Sequence, residues 1–276
     1  MSVPIIVCGA AGRMGRTLVQ LVGREPGARL LAAVEMKGHA AVGQDAGVLA
    51  GLGQLGVPIT DDYASTVTPE SVTLDFTAPG SAVAHLEAAA AKKAAIVIGT
   101  TGFDETLQQR LADLAPRTRT VIAPNMSIGV NVLLGLVTAA ARALGDAFDP
   151  EIVEMHHRHK LDAPSGTALA LARAVAAGLE RDLAADACYG REGIVGQRPP
   201  KEIGVMALRG GDVVGDHTVV FAGMGERIEL THRAHSRDCL ARGAVRAGVW
   251  LADQPTARYS MADVLGLKAK SVTGDR

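Results

Sequence analysis

The chain has 276 residues, enough for two modest domains or one large one. Hydrophobic residues make up 48% and aromatics 3%, with alanine, valine, leucine and glycine predominating, as in α/β proteins whose helices pack closely on a sheet. A net charge of −1 gives no ground for nucleic acid or a membrane as partner, and the scattered Cys8, Cys188 and Cys239, without CxxC spacing, argue against a disulfide framework or a metal site.

The first element predicted is a buried strand over residues 3–8, entered without a basic leader or an apolar signal stretch, so a cytoplasmic protein is expected. A glycine-rich turn follows, then a helix from Arg13 to Val22. A second strand, Leu30 to Val34, ends in Glu35. Thr73–Thr77 and Ala95–Ile98 are further apolar runs, separated by an alanine-rich helix from Ser81 to Lys92. A helix from Asp104 to Leu114 leads to a strand over Thr120–Ala123. Strands alternating with helices predict a parallel, doubly wound (Rossmann) sheet. The uncharged run Ser127–Ala141 is interrupted by Gly129, Asn131 and Gly135 and falls short of a membrane span, so it is read as a buried or interfacial helix.

After Asn125 the pattern changes. Glu151–His157, Ile203–Arg209, Thr218–Ala222 and Arg227–Arg233 are strand-like with long connections, an α+β pattern. A last helix over Cys239–Leu251 and the tail Met261–Leu267 are placed back on the first domain. The expected division is therefore a nucleotide-binding domain over 1–127, completed by 237–276, and a smaller α+β domain over 128–236.

Gly9, Ala10, Ala11, Gly12, Arg13, Met14 and Gly15 join the first strand to the first helix. There the chain must turn sharply and let a pyrophosphate approach the free N–H groups of a helix start. The spacing is GxxGxxG rather than the usual GxGxxG, but Glu35 stands 20 residues beyond Gly15, where a carboxylate binds ribose hydroxyls. Glu35 favours NADH, whereas Arg13 and Lys37 offer charge to a 2′-phosphate, so NADH and NADPH both stay open. Gly99, Thr100 and Thr101, and likewise Ala123, Pro124, Asn125 and Met126, follow strands of this sheet and are expected to line the nicotinamide or to be ordinary turns.

Glu154-Met-His-His-Arg-His-Lys160 concentrates three histidines, an arginine and a lysine in five consecutive positions. On a continuous strand, Glu154, His156, Arg158 and Lys160 share one face, with His157 and His159 opposite. Such crowding lowers the pKa values of an empty site and calls for a bound anion; a solvated charge run is the bland alternative. Ser165 is placed as an N-cap, and the helix it opens with Gly166 and Thr167 offers N–H groups and hydroxyls to a carboxylate, or is simply capped.

These residues resemble the 4-hydroxy-tetrahydrodipicolinate (dihydrodipicolinate) reductase family from Ile6 to about Leu265. The resemblance is carried by Gly9–Gly15, Asp75-Phe-Thr77, Gly99–Phe103, Pro124–Asn131, Glu154–Lys160 with Asp162–Ala168, Arg209–His217 and Gly225–His232. It implies reduction of a cyclic imine dicarboxylate by NADH or NADPH with loss of water, in diaminopimelate and lysine biosynthesis. Hydride would reach ring C4 and a proton would complete the saturation. His156 would be the proton donor and acceptor, Lys160 the general acid, and His157, Gly166 and Thr167 the ligands of the substrate carboxylates. It further implies a homotetramer built through a mixed sheet of the second domain. Members of the family that use both cofactors often carry arginine directly after the strand-end glutamate, where this chain has Met36. Other readings of the same residues are another two-domain dehydrogenase, such as an aspartate dehydrogenase, or a non-catalytic NADH sensor.

Overall fold

The structure is a computed structural model and describes residues 2–267, so residues 268–276 of the expected first domain lie outside the described residues. The chain divides into two compact units, one of residues 1–128 and 238–276, the other of residues 129–237.

The first unit begins β1 (Val3–Cys8), α1 (Arg13–Val22), β2 (Ala28–Val34), α2 (Ala46–Leu49), β3 (Ile59–Thr60) and α3 (Tyr63–Thr66). It continues β4 (Val72–Asp75), α4 (Pro79–Ala91), β5 (Ala95–Ile98), α5 (Glu105–Leu114) and β6 (Arg119–Ile122). The short apolar strands have no polar face because both sides of their sheet are covered. Ile5, Val7 and Leu74 point to one core layer with Leu18 and Val19 of α1. Their neighbours Ile6, Ile96 and Ile98 point to the other, with Val83 and Leu86 of α4. β1 pairs in parallel with β2 on one side and β4 on the other, so the strand order reverses at β1. That reversal opens a crevice at the carboxyl ends of the strands, where ligands of such sheets bind.

The second unit contains most of α6 (Ile128–Leu144), followed by β7 (Asp149–His156), α7 (Gly166–Leu179), α8 (Leu183–Asp186) and β8 (Ala187–Cys188). β9 (Ile203–Arg209), β10 (Gly215–Gly223) and β11 (Glu226–Ala234) complete a mixed sheet of order β11-β10-β7-β9-β8. α6 runs further than the uncharged stretch alone suggests. With the turn that follows, Ile128–Ala147 spans 20 residues at mean hydropathy 1.6, long and apolar enough to cross a membrane. Its Leu133, Val137 and Ala141 nevertheless belong to a core shared with Ile152, Val205, Val219 and Phe221 of the sheet and Leu171 and Val175 of α7, which is the arrangement of a core helix.

The chain then returns to the first unit as α9 (Asp238–Leu251), β12 (Ala257–Tyr259) and α10 (Met261–Val264). α9 supplies Ala241, Ala244 and Leu251 to the layer holding β1 and β4. β12, too short for a periodic signal, extends the parallel sheet beside β6, giving the order β12-β6-β5-β4-β1-β2-β3.

Candidate active site

In the first unit the glycine turn is shaped by close approach. Gly9 has φ +69°, and a Cβ on Gly15 would fall inside van der Waals contact of the Gly9 carbonyl oxygen and 2.7 Å from Ala10 Cα. Helix α1 can therefore begin directly against the turn. Its N-cap is Gly12, with no side-chain cap and no acidic residue in the first turn, so the positive end of the helix is left for an anion. Glu35 reaches back to the turn, where its Oε2 accepts from Ala11 N at 3.0 Å and its Oε1 from Met36 N at 3.0 Å. Gly9, Gly12, Glu35, Met36 and Lys37 line one cavity of about 560 Å³. Arg13 is exposed at the start of α1, and Ala10 is buried beneath the turn.

The second pair of expected loops is tied together by Asp75, fully buried at the end of β4. Its Oδ1 accepts from Thr77 N (2.9 Å), Thr77 Oγ1 (2.7 Å) and Thr100 Oγ1 (3.2 Å), and its Oδ2 meets His85 Nδ1 at 2.6 Å. Gly99 is required here because Phe76 packs flat on its backbone, with ring atom Cδ1 only 2.7 Å from a would-be Cβ. Thr100, Thr101 and Pro124 line a further hollow with Phe103 and Arg258. Ala123 and Met126 are buried, and Met126 packs in the sheet core, which leaves only backbone at that position for a ligand. Asn125 Oδ1 accepts from Ser127 N at 2.9 Å. Among the described residues, Cys8, Asp75 and His85 form one cluster of potential metal ligands. Burial, then the charges of Asp75 and Glu35, push the Cys8 thiol well up, so it stays protonated beside carboxylate oxygens already hydrogen-bonded.

In the second unit the strand register builds the basic cluster. Glu154 lies opposite His217 of β10 and Ala207 of β9, and His156 lies opposite Arg209. Glu154, His156, Arg209 and His217 thus share the face that α7 covers. The strand ends at His156, however. His157 N donates to Val213 O (2.7 Å) and Arg158 N to Gly211 O (3.2 Å), and a turn closes with Lys160 N on His157 O (3.1 Å). The expected common face therefore holds for Glu154 and His156 and fails for Arg158 and Lys160, because carbonyls of the β9–β10 connection take over the backbone.

Lys160 is gripped by Asp162, with Nζ 2.7 and 2.9 Å from its two oxygens; that bond holds the Asp162 carboxyl below its usual range despite some burial. His157 packs near His159, ring centroids 6.2 Å apart, and its Nε2 is 3.4 Å from Arg237 Nη2. Burial, then the charges of Arg237, His159, His156 and Lys160, lower the His157 pKa. His217 is pushed down to about 4, first by burial and then by the charge of His156. Its ring stands edge-on to that of His156 at 5.1 Å.

Ser165 is the N-cap of α7. Its Oγ accepts from Ala168 N (3.1 Å) and meets His217 Nε2 at 3.0 Å, while its N–H donates to Glu154 Oε1 at 3.0 Å. The side chain is buried and committed, so the carboxylate receptor expected there reduces to the helix start at Gly166 and Thr167. A Cβ on Gly166 would meet nothing within 4 Å, and the first turn holds no acidic residue. Arg209 and His217 received no role from the sequence. The two-residue period of β10 carries a signal for His217, because it sets that histidine on the buried face with Val219 and Phe221.

A doubly wound unit and a mixed-sheet unit with a histidine-rich basic cluster are the construction of a two-domain oxidoreductase. Residues 3–126 match the family described as dihydrodipicolinate reductase, N-terminus, and residues 129–265 match dihydrodipicolinate reductase, C-terminus. The chain is 54% identical over 267 residues to 4-hydroxy-tetrahydrodipicolinate reductase of Anaeromyxobacter sp. (strain Fw109-5), covering 97% of this chain and 99% of that one. It is 51% identical to the enzyme of that name from Thiobacillus denitrificans, covering 97% and 100%. Among solved structures, dipicolinate-bound dihydrodipicolinate reductase from Paenisporosarcina sp. TG-14 shares the fold at TM-score 0.74 and 24% identity, covering 95% of this chain and 99% of that one. The chain belongs to the dihydrodipicolinate reductase family.

Proposed function

We propose that the chain reduces 4-hydroxy-tetrahydrodipicolinate to tetrahydrodipicolinate with loss of water, using NADH or NADPH, in diaminopimelate and lysine biosynthesis. The observation that carries this reading is the anchoring of the α7 start in the histidine cluster: the Ser165 N–H is bonded to Glu154, and its Oγ meets His217. An anion-binding helix terminus and proton-carrying side chains are thereby held in one place.

When bound, the reduced nicotinamide supplies hydride to ring C4 of the conjugated imine. The N–H groups at Gly166 and Thr167, with His157, hold the ring carboxylates, because the positive start of a helix and a cationic neighbourhood favour a dianion. Lys160 acts as general acid, its Nζ oriented by both oxygens of Asp162. His156 gives or accepts the second proton. Gly9 to Gly15 take the pyrophosphate against α1, Glu35 takes ribose hydroxyls, and Gly99–Thr101 with Ala123–Met126 line the nicotinamide end. Glu35 favours NADH, and Lys37 in the same cavity offers the charge that a 2′-phosphate needs.

Self-assembly to a homotetramer is supported by the sheet face opposite α7. There Val153, Met155, Met206 and Val220 are only part-buried and Leu208 is 49% exposed within the chain. A cytoplasmic location goes with this biosynthetic role.

The test is ligand-induced stabilisation. Dipicolinate, which the Paenisporosarcina relative binds, should raise the unfolding temperature in the presence of NADH. At 100 times Kd the gain is about 2.7 kcal/mol, which amounts to several degrees. Stabilisation by nucleotide alone, with no response to dipicolinate, would instead favour a nucleotide sensor.

A further inference from the structure

We propose that Glu154 is the positioning residue of the reaction: with Arg209 it draws the Nδ1 proton of His156 onto itself and leaves Nε2 as the nitrogen that exchanges protons with substrate. The inference rests on the reading of His156 as the proton donor and acceptor.

Glu154 is fully buried on β7, and its carboxylate receives four hydrogen bonds. Oε2 meets His156 Nδ1 at 2.5 Å and accepts from Arg209 Nη1 at 3.0 Å. Oε1 accepts from Arg209 Nη2 at 3.0 Å and from Ser165 N at 3.0 Å. An ionised carboxylate has acceptor sites only, so each of those nitrogens must carry its hydrogen, the His156 Nδ1 included. Burial alone drives a carboxyl toward its neutral form. Here burial does push Glu154 up, but the bonds from Arg209, His156 and Ser165 outweigh it and hold the pKa below its usual value. Arg209 is the decisive partner, because its guanidinium stays charged and grips both oxygens in a fork. Its Nη2 also donates to Asp162 O, so the same cation is tied to the loop that carries Lys160.

Neutral His156 can then take a proton only on Nε2, becoming imidazolium while Glu154 remains a carboxylate. Space for that exchange is kept by Gly215, where a Cβ would stand 3.0 Å from Nε2. A merely structural ion pair would be complete with Arg209 and Ser165 and would not need the histidine. The charged and titratable groups around the ring are Glu154 on β7, Arg209 on β9, His217 on β10, and His157 and Lys160 in the following turn; of these, only Glu154 bonds the ring.

The test has two arms. Nitrogen-15 NMR of the imidazoles in the wild-type protein, with and without NADH, should show neutral His156 as the Nδ1–H tautomer; the Nε2–H tautomer would overturn the proposal whatever the variants do. In the second arm, Glu154→Gln should lower kcat by roughly 10²–10³-fold, within the range of a lost or mis-set proton donor. The KM values should stay within about 3-fold and the pH profile should move, because positioning affects proton transfer rather than binding. Glu154→Asp should recover part of the rate. His156→Gln separates the two claims. If it keeps wild-type turnover, the role of His156 itself is wrong. If it is crippled while Glu154→Gln turns over normally with an unchanged pH profile, the positioning role is wrong.

Discussion

Gly15→Ala is the sharpest test of the nucleotide-binding turn. Gly15 sits in the first turn of α1, and a Cβ there would overlap the Gly9 carbonyl oxygen and approach Ala10 Cα at 2.7 Å. Both obstacles are backbone, so the helix must lift off the turn rather than a side chain swing away. Overpacking of this kind costs ~3 kcal/mol at the upper end of its usual range. Alanine returns about 1 kcal/mol as the better helix former. The net loss is therefore ~2 kcal/mol, roughly 3–4 °C in unfolding temperature for a chain of this size. Lifting α1 also withdraws its N–H groups from the pyrophosphate position, so NADH affinity should fall by about tenfold or more, some 1.4 kcal/mol. Scanning calorimetry and a fluorescence titration with NADH read the two effects separately. Gly80→Ala is the control: a Cβ there meets nothing within 4 Å, and stability should hold or rise. A Gly15→Ala protein as stable as wild type, with unchanged NADH affinity, would refute the close approach of helix and turn.

Lys160→Ala should lose about 10²–10⁴-fold in kcat while folding and binding NADH normally; turnover near wild type would remove Lys160 as general acid. His217 titrates at about 4 when folded and near 6.5 when unfolded, so below pH 6.5 the unfolded chain binds the proton that the folded one refuses. Its contribution is complete above pH 6.5 and declines as pH falls to about 4, by ~3 kcal/mol, with nothing further lost below. Denaturation midpoints measured across that window should follow this slope, and His217→Asn should flatten it; an unchanged slope would contradict the assignment. Met36→Arg puts a guanidinium at the mouth of the cavity beside Glu35 and Lys37, and should lower the KM for NADPH while leaving that for NADH within about 3-fold. No change would mean that a 2′-phosphate does not reach this rim.

The first unit was the more legible because its signals are local. β1, the glycine turn, α1 and Glu35 follow one another within 33 residues, and the structure joins Glu35 to Ala11 of the turn. Ser165 was likewise placed as an N-cap, since a serine followed by glycine and threonine is a local pattern. The limits appear where distant chain decides. Nothing near His156 reports that Val213 and Gly211, over 50 residues on, will take the backbone N–H groups of His157 and Arg158 and end the strand. Arg209 and His217 reach Glu154 and Ser165 only through the register of β9 and β10, which no single-strand period reveals. α2, β3, α3, β8 and β12 have two to four residues each, too few for any periodicity to register.

The most direct test of the central claim is loss of the nicotinamide absorbance band, with NADH and NADPH compared side by side. The substrate would be formed in situ by condensing pyruvate with aspartate semialdehyde. Rapid, substrate-dependent oxidation of at least one cofactor is the predicted result, and the ratio of the two rates would report what Glu35, Met36 and Lys37 select. A folded protein that binds NADH yet oxidises neither cofactor with this substrate would contradict the proposed reaction.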